Sequence, residues 1–355
     1  MRVTTMQIKK IRVLVVDDSL VFRKLLVNGL NSDPALEVVA EASNAYEARD
    51  AIIKYSPDVM TLDVELPHMN GIEFLRKLMP QRPIPVVVIS ALSNAVFDAL
   101  HAGAVDYVRK PSLSEKRQLE NFIRQELAVK VKIASTARVG GRKQMGIGNP
   151  LFTAGKFSPD TLVAIGASTG GTEAIYDVVR QLDVDIPGVV IVQHMPPGFT
   201  DMYAKRLNND CRIEVREAKT GDRVMPGLAL LAPGDKQMRL VKVNGTYQVE
   251  CKDGPKVGGH RPAVNVLFDS VAQYVGKNAI GVILTGMGGD GAQGLLKMRN
   301  SGAETIGQDE ESCVVYGMPK VAYDIGAVKY QLPLSEIPKK IYGLLNQKQV
   351  GKKGE

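Results

Sequence analysis

Twice along the chain, short runs of aliphatic and β-branched residues alternate with longer amphipathic stretches. That rhythm restricts the fold to parallel sheets with helices packed on their faces. The first set is IRVLVV from residue 11, then EVVAEA, DVMTLD, IPVVVIS and AVDYV, separated by helix-like segments at 19–31, 45–55, 71–79, 94–101 and 114–130. Each intervening piece is long enough for the crossover that a parallel pair needs, and Asp33-Pro34 and Ser56-Pro57 mark helix stops. The second set opens with TLVAIGAS and continues through GVVIVQH and NAIGVILTG, with helical stretches at 171–182, 197–208 and 262–275. Near 224–252 the segments LALLAP and QMRLVKVNGTYQVECK interrupt it, and Asn244-Gly245 between alternating runs signals a hairpin. The expected fold class is α/β with two doubly wound domains: a five-stranded parallel sheet, then a larger, mostly parallel α/β domain carrying an antiparallel hairpin.

A chain of 355 residues also exceeds what one core comfortably fills, so two cores are expected. Residues 131–158 lose the apolar periodicity and carry glycines, basic residues and no acid, which reads as a flexible basic linker between domains 1–130 and 159–355. Apolar content of 45% with 23% charged residues excludes a disordered or fibrous class. The net charge of +7 could suit nucleic acid, but Lys and Arg are scattered apart from 130–156 and Lys352-Lys353, so a solvated surface is expected and no nucleic-acid partner. No run approaches the ~18–20 apolar residues of a membrane span, and the start lacks the features of a signal peptide. A cytoplasmic protein without membrane insertion is expected. The cysteines Cys211, Cys251 and Cys313 lie far apart and support neither a disulfide framework nor a zinc site.

Carboxylates gather at strand ends in the first set. Asp17 and Asp18 follow VLVV, and Asp63 closes DVMTL. In a parallel sheet these ends share one edge, where clustered acids repel unless a cation neutralises them, and all-oxygen ligation suits Mg²⁺. Ser90 ends VVVIS and Lys110 follows AVDYV, adding a hydroxyl and an ammonium to the same edge. Such a set can hold a phosphoryl group. Taken singly, Asp17 and Asp18 could cap the next helix and Asp63 could start a turn.

In the second set IGASTGG fits Gly-x-Ser-x-Gly at Gly166, Ser168 and Gly170, in the strand-turn-helix setting that can hold a nucleophile out from the sheet. A phosphate-cradling loop would bring a Lys where Glu173 follows, and helix capping by Ser168 or Thr169 is the plainer reading. A serine needs a base. His194 stands directly after the next strand, and His260 sits in the glycine-rich KVGGHRPA; both are candidates. Asp290, in LTGMGGDGA after a third strand, can orient an imidazole, and the glycines around it let backbone N–H groups approach an oxyanion. The order Ser168, His194, Asp290 departs from the order of α/β-hydrolases unless His260 is the base.

Residues 9–130, through VVDDS, TLDVELPHMNGIEFL, VVVIS and DYVRKP, resemble a two-component receiver domain. The resemblance implies phosphorylation of Asp63 by a chemotaxis histidine kinase. It also implies Mg²⁺ held by Asp17, Asp18, Asp63 and the carbonyl of Glu65, with Ser90 and Lys110 on the phosphoryl oxygens and Tyr107 as the switch aromatic. Residues 160–345, through IGASTGG, QHMP, GHRPAVNVLF, LTGMGGDGA and CVVYGMPK, resemble the catalytic domain of the chemotaxis protein-glutamate methylesterases, and the whole chain resembles that CheB family. On that resemblance Ser168 is the nucleophile, His194 the base and acid, and Asp290 its orienting group. Met287 N–H would serve the oxyanion with Thr169 beside it, His260 would lie near the cleft, and the catalytic domain would need no cofactor. The implied activity is phosphorylation-activated hydrolysis of glutamyl methyl esters on methyl-accepting chemoreceptors, with glutamine deamidation open and recruitment to membrane-bound receptor arrays. The alternatives are a response regulator whose second domain binds a ligand or nucleic acid, and an esterase for a small metabolite.

Overall fold

A computed structural model of the chain describes residues 9–91, 93–111, 116–140 and 160–350, which fall into two compact units divided between Gly141 and Arg142. The strands of the first are β1 (Ile11–Val16), β2 (Leu36–Ala42), β3 (Val59–Asp63), β4 (Val86–Ser90) and β5 (Asp106–Arg109). Its helices are α1 (Leu20–Asn31), α2 (Ala45–Tyr55), α3 (Gly71–Leu78), α4 (Ser93–His101), α5 (Lys116–Asn121) and α6 (Ala128–Ala134). Neighbouring strands all pair in parallel, in the order β2-β1-β3-β4-β5. With helices on both faces, β3 and β4 are buried from end to end, which is why they read as unbroken apolar runs. Short polar side chains start the helices: Ser19 accepts from Phe22 N–H, Asn44 from Tyr46 and Glu47, and Asn70 from Glu73. The winding direction reverses between β1 and β3, so the loops after these two strands part and leave a crevice at their carboxyl ends.

The flexible linker expected from residue 131 begins inside a helix. A π-helical turn, Phe122–Leu127, joins α5 to α6, and Leu127, Val131 and Ala134 are fully buried at helical spacing. The lysines that hid this face in the sequence are tied to the same unit: Lys130 pairs with Asp106 at 2.8 Å and Lys132 with Asp33 at 2.7 Å. The remainder of the expected linker, residues 141–158, lies outside the described residues.

The second unit holds β6 (Leu162–Ala167), α7 (Gly171–Val179), β7 (Val189–Gln193), α8 (Phe199–Asp210), β8 (Glu214–Glu217), β9 (Leu228–Leu231), β10 (Gln237–Val243) and β11 (Thr246–Lys252). It continues with α9 (Val264–Tyr274), β12 (Ala279–Ile283), α10 (Ala292–Asn300), β13 (Glu304–Gln308), α11 (Met318–Asp324), β14 (Tyr330–Leu332) and α12 (Ile337–Val350). Seven strands form one wholly parallel sheet, β14-β13-β12-β6-β7-β9-β8; LALL is its strand β9 rather than part of the interruption. β10 and β11 make the antiparallel hairpin across Asn244 and Gly245, whose φ values of 49° and 80° suit the tight turn that the pair signals. The hairpin packs its apolar face on α9: Met238, Leu240 and Val249 share a core with Phe268 and Val271, and Ser270 Oγ accepts from Leu240 N–H at 2.9 Å. Here the winding reverses between β6 and β12. Chemistry-bearing loops therefore collect at that crevice.

Candidate active site

In the first unit the crevice between β1 and β3 carries acid. Asp17 and Asp63 are buried and Asp18 is exposed, and all three carboxylates offer oxygens within 4.8 Å of one another. Lys110, just beyond β5, places its Nζ 2.8 Å from Asp17 and 2.5 Å from Asp63. An ammonium already bridges two of the three acids, so the cluster is built to hold positive charge, and its all-oxygen donors are those a hard divalent cation takes. Glu65 N–H donates to Asp63 Oδ1 at 2.9 Å, holding the turn after β3 against the carboxylate. Gly71 is obligatory in this turn, since a Cβ there would lie 2.3 Å from the Asp63 carbonyl oxygen. Ser90 is buried at the end of β4, and its carbonyl accepts from Lys110 N–H at 2.9 Å. Tyr107 lies buried on β5, where burial pushes its phenol well above the usual range, and Lys130 Nζ stands 4.9 Å from its ring centroid.

Burial also pushes the Asp17 carboxyl up to about 6, against the pull of Lys110 and with the help of the Asp63 charge. A group whose folded-state pKa is raised contributes stability that is complete below its unfolded value, here 3.8, and is lost as pH climbs through about 6. In metal-free buffer the unit should therefore lose stability between these limits. Asp17→Asn should raise the unfolding free energy at neutral pH by about 1–3 kcal/mol, since the raised value already contains the pull of Lys110. Urea unfolding with a chelator present, with and without added Mg²⁺, measures both effects.

The crevice of the second unit is assembled from three loops. β6 ends at Ala167, so Ser168 is the first residue beyond the sheet, and Gly170 at φ 75° turns the chain into α7. The Ser168 loop is pinned from both sides. Ser168 N–H donates to Thr285 O at 3.0 Å, and Thr285 Oγ1 donates to Thr169 O at 3.0 Å. Thr285 is itself held by Gln308, whose Oε1 accepts from its N–H at 2.8 Å. Gly286 must lack a side chain because a Cβ would stand 2.7 Å from Ser168 Cβ.

From the loop after β7, His194 reaches Ser168 Oγ with Nδ1 at 3.1 Å and Asp290 Oδ2 with Nε2 at 2.8 Å. An ionised carboxylate only accepts, so Nε2 carries the proton and Nδ1 is left to take one from the hydroxyl. The ring nitrogens thus exchange the duties they have in chymotrypsin-type triads. Asp290 also receives Val264 N–H on Oδ2 at 2.7 Å and Asn265 N–H on Oδ1 at 3.0 Å, the first amides of α9, whose own preceding residue, Ala263, supplies no side-chain cap. Burial acts to raise the Asp290 carboxyl, but the bond and charge of His194 and these two amides hold it below the usual range. Asn265 returns the contact, its Oδ1 accepting from Gly294 N–H in α10 at 2.8 Å. The two helices that flank the acid are thereby locked together.

The other candidate base takes a different place. His260 stacks on His194, centroids 3.7 Å apart and planes 9° from parallel, and burial with the neighbouring His194 pushes it down to about 4. A neutral ring thus covers one face of His194. Met287 follows Gly286 in the loop beside Ser168, its side chain exposed; among the described residues its N–H donates to no protein acceptor. Thr169 is buried next to Ser168. Nothing in the sequence marks Gln193, Thr285, Gln308 or the Asn265 contact, apart from the polar residue that closes the buried run VVIVQ.

Both units are similar to known proteins. Residues 163–341 match the family model described as CheB methylesterase, and residues 13–124 that described as response regulator receiver domain. Over 344 residues the chain is 60% identical to protein-glutamate methylesterase/protein-glutamine glutaminase 2 of Syntrophomonas wolfei, covering 96% of this chain and 100% of that one. It is 49% identical over 332 residues to protein-glutamate methylesterase/protein-glutamine glutaminase of Salmonella typhimurium, covering 92% of this chain and 95% of the other. The crystal structure of the Thermotoga maritima CheB methylesterase catalytic domain aligns with a TM-score of 0.51 at 40% identity, over 52% of this chain and 98% of that one. Likeness of this depth, carried through both units, means that the chain belongs to the CheB methylesterase family.

Proposed function

We propose that the protein hydrolyses glutamyl methyl esters on chemoreceptors, that the same serine converts receptor glutamines to glutamates, and that phosphorylation of Asp63 raises the turnover. The observation that carries this reading is the unbroken hydrogen-bonded row from Ser168 through His194 to Asp290. Ser168 Oγ attacks the ester carbonyl while His194 Nδ1 takes its proton. Met287 N–H and Thr169 N–H donate to the oxyanion. The intermediate collapses, and Nδ1–H protonates the departing methoxide to methanol. Water, giving a proton to Nδ1, then attacks the acyl-serine, releasing the glutamate carboxyl and restoring the hydroxyl. With a glutamine the first leaving group is ammonia. The names of the two relatives carry both activities.

In the receiver unit Asp63 accepts the phosphoryl group from a chemotaxis histidine kinase. Asp17, Asp18 and Asp63, with the Glu65 carbonyl, would hold Mg²⁺, which when bound neutralises charge on the transferring group. Ser90 and Lys110 then bind the phosphoryl oxygens, and Tyr107 responds to their movement. No helix among the described residues is long and apolar enough to cross a membrane, and the proposed substrate is the cytoplasmic part of membrane-bound receptors.

Methanol release from methyl-esterified chemoreceptor tests the reading, with small-molecule esters as the comparison. A small acyl phosphate with Mg²⁺ should raise the wild-type rate, and Asp63→Asn should lose that rise while keeping its basal rate. Faster turnover of small esters than of receptor would favour a metabolite esterase instead.

A further inference from the structure

None of the steps above uses the buried amide of Gln193, yet it joins the loop of the nucleophile to the loop of the base. Gln193 closes β7 and is 4% exposed. Its Nε2 donates to the Ser168 carbonyl at 2.9 Å and to the His194 carbonyl at 3.3 Å. Carbonyls only accept, so the nitrogen must face them and the orientation of the amide is fixed by its partners. Oε1 is left buried without a hydrogen-bond partner among the described residues. It fills the space a side chain at position 171 would need, for a Cβ on Gly171 would lie 2.2 Å from it.

A buried acceptor without a partner costs stability, and an aliphatic side chain at this strand end would avoid that cost. The amide is therefore poorly explained by stability alone. The Ser168 carbonyl also accepts from Gly171 N–H at 2.7 Å. With two donors on that oxygen, the plane of the Ser168–Thr169 peptide is fixed. A trans peptide points its N–H opposite to its C=O, so the same two bonds set the direction of the Thr169 N–H.

We propose that Gln193 is a positioning residue for the esterase reaction, tying the Ser168 and His194 carbonyls to one side chain so that the approach of Oγ to Nδ1 and the direction of the Thr169 amide are held together. The proposal rests on the reading of Ser168 as nucleophile. Misplacement of reacting groups by about 1 Å can cost on the order of 10²-fold, so the expected signature is a loss in kcat with KM kept.

Two variants of the full-length protein test it by methanol release from methyl-esterified receptor. Gln193→Met keeps length and packing but removes both donors, and should lower kcat by about 10–100-fold at near wild-type KM and melting temperature. Gln193→Glu keeps the shape but sets a carboxylate against two carbonyls at neutral pH. Its kcat should recover in part as pH falls and the protonated carboxyl donates again, moving its pH profile to the acid side, whereas Gln193→Met should keep the wild-type profile shape. Wild-type kcat in Gln193→Met, or a Gln193→Glu profile parallel to wild type, overturns the proposal. Should Gln193→Met fail to fold, the Gln193→Glu profile decides alone. Ser168→Ala run alongside separates the two failures: activity there removes the nucleophile, while an inactive Ser168→Ala beside a fully active Gln193→Met removes only the positioning role.

Discussion

Ser168→Ala is expected to lower methanol release by at least ~10⁴-fold, the scale of losing one member of a Ser-His-Asp set. The change should leave the fold alone. The backbone of Ser168 keeps its bonds to Thr285, Gly171 and Gln193, and only the hydroxyl that meets His194 Nδ1 is lost. An unchanged melting temperature with vanished turnover and vanished labelling by a serine-reactive phosphonate is the expected combination. Turnover near wild type would remove Ser168 from the reaction.

Asp290→Asn is expected to cost about as much, on the order of 10⁴-fold in kcat, although it changes a single atom. Three N–H groups converge on the carboxylate, from His194, Val264 and Asn265. An amide has one accepting oxygen. If that oxygen takes the Oδ2 position, the new NH₂ faces Asn265 N–H and the first turn of α9 loses a bond, costing about 1–3 kcal/mol. If the amide turns over, its NH₂ faces His194 Nε2 as a donor. The proton then moves to Nδ1, and the ring can no longer accept from Ser168. In that second arrangement the NH₂ also faces Val264 N–H, so either way one opening amide of α9 is left unpaired and the melting temperature should fall, with activity partly kept in the first case and gone in the second. The residual kcat tells them apart while thermal unfolding on the same preparation checks the shared loss, and loss of neither would show that Asp290 does not orient the base.

The architecture was legible because a parallel sheet covered on both faces leaves unbroken apolar runs, as in VVVIS and GVVIV. The same geometry told where functional groups could stand. Strand ends in a parallel sheet share one edge, so Asp17 and Asp63 in one unit, and Ser168, His194 and Asp290 in the other, fall together at the winding reversals. What stayed hidden depends on packing between distant segments. The end of helix α6, from residue 131, reads as linker because Lys130 and Lys132 break up its apolar face, and only their pairing with Asp106 and Asp33 explains them. The stacking of His260 on His194 could not be read from KVGGHRPA, since it depends on how a glycine-rich loop folds back over the rim. The Gln193 amide was equally silent, because its acceptors are backbone oxygens that any residue would offer.

Asp290 draws part of its stabilisation from the opening amides of α9, and these do not change as the reaction proceeds. The anion is therefore a standing feature of the framework. In the proposed reaction its negative charge is in place before His194 acquires a positive one and persists after that charge has gone. Proton traffic can be confined to the side of the imidazole that faces substrate, and each turnover starts from the same electrostatic landscape without a reset of the acid.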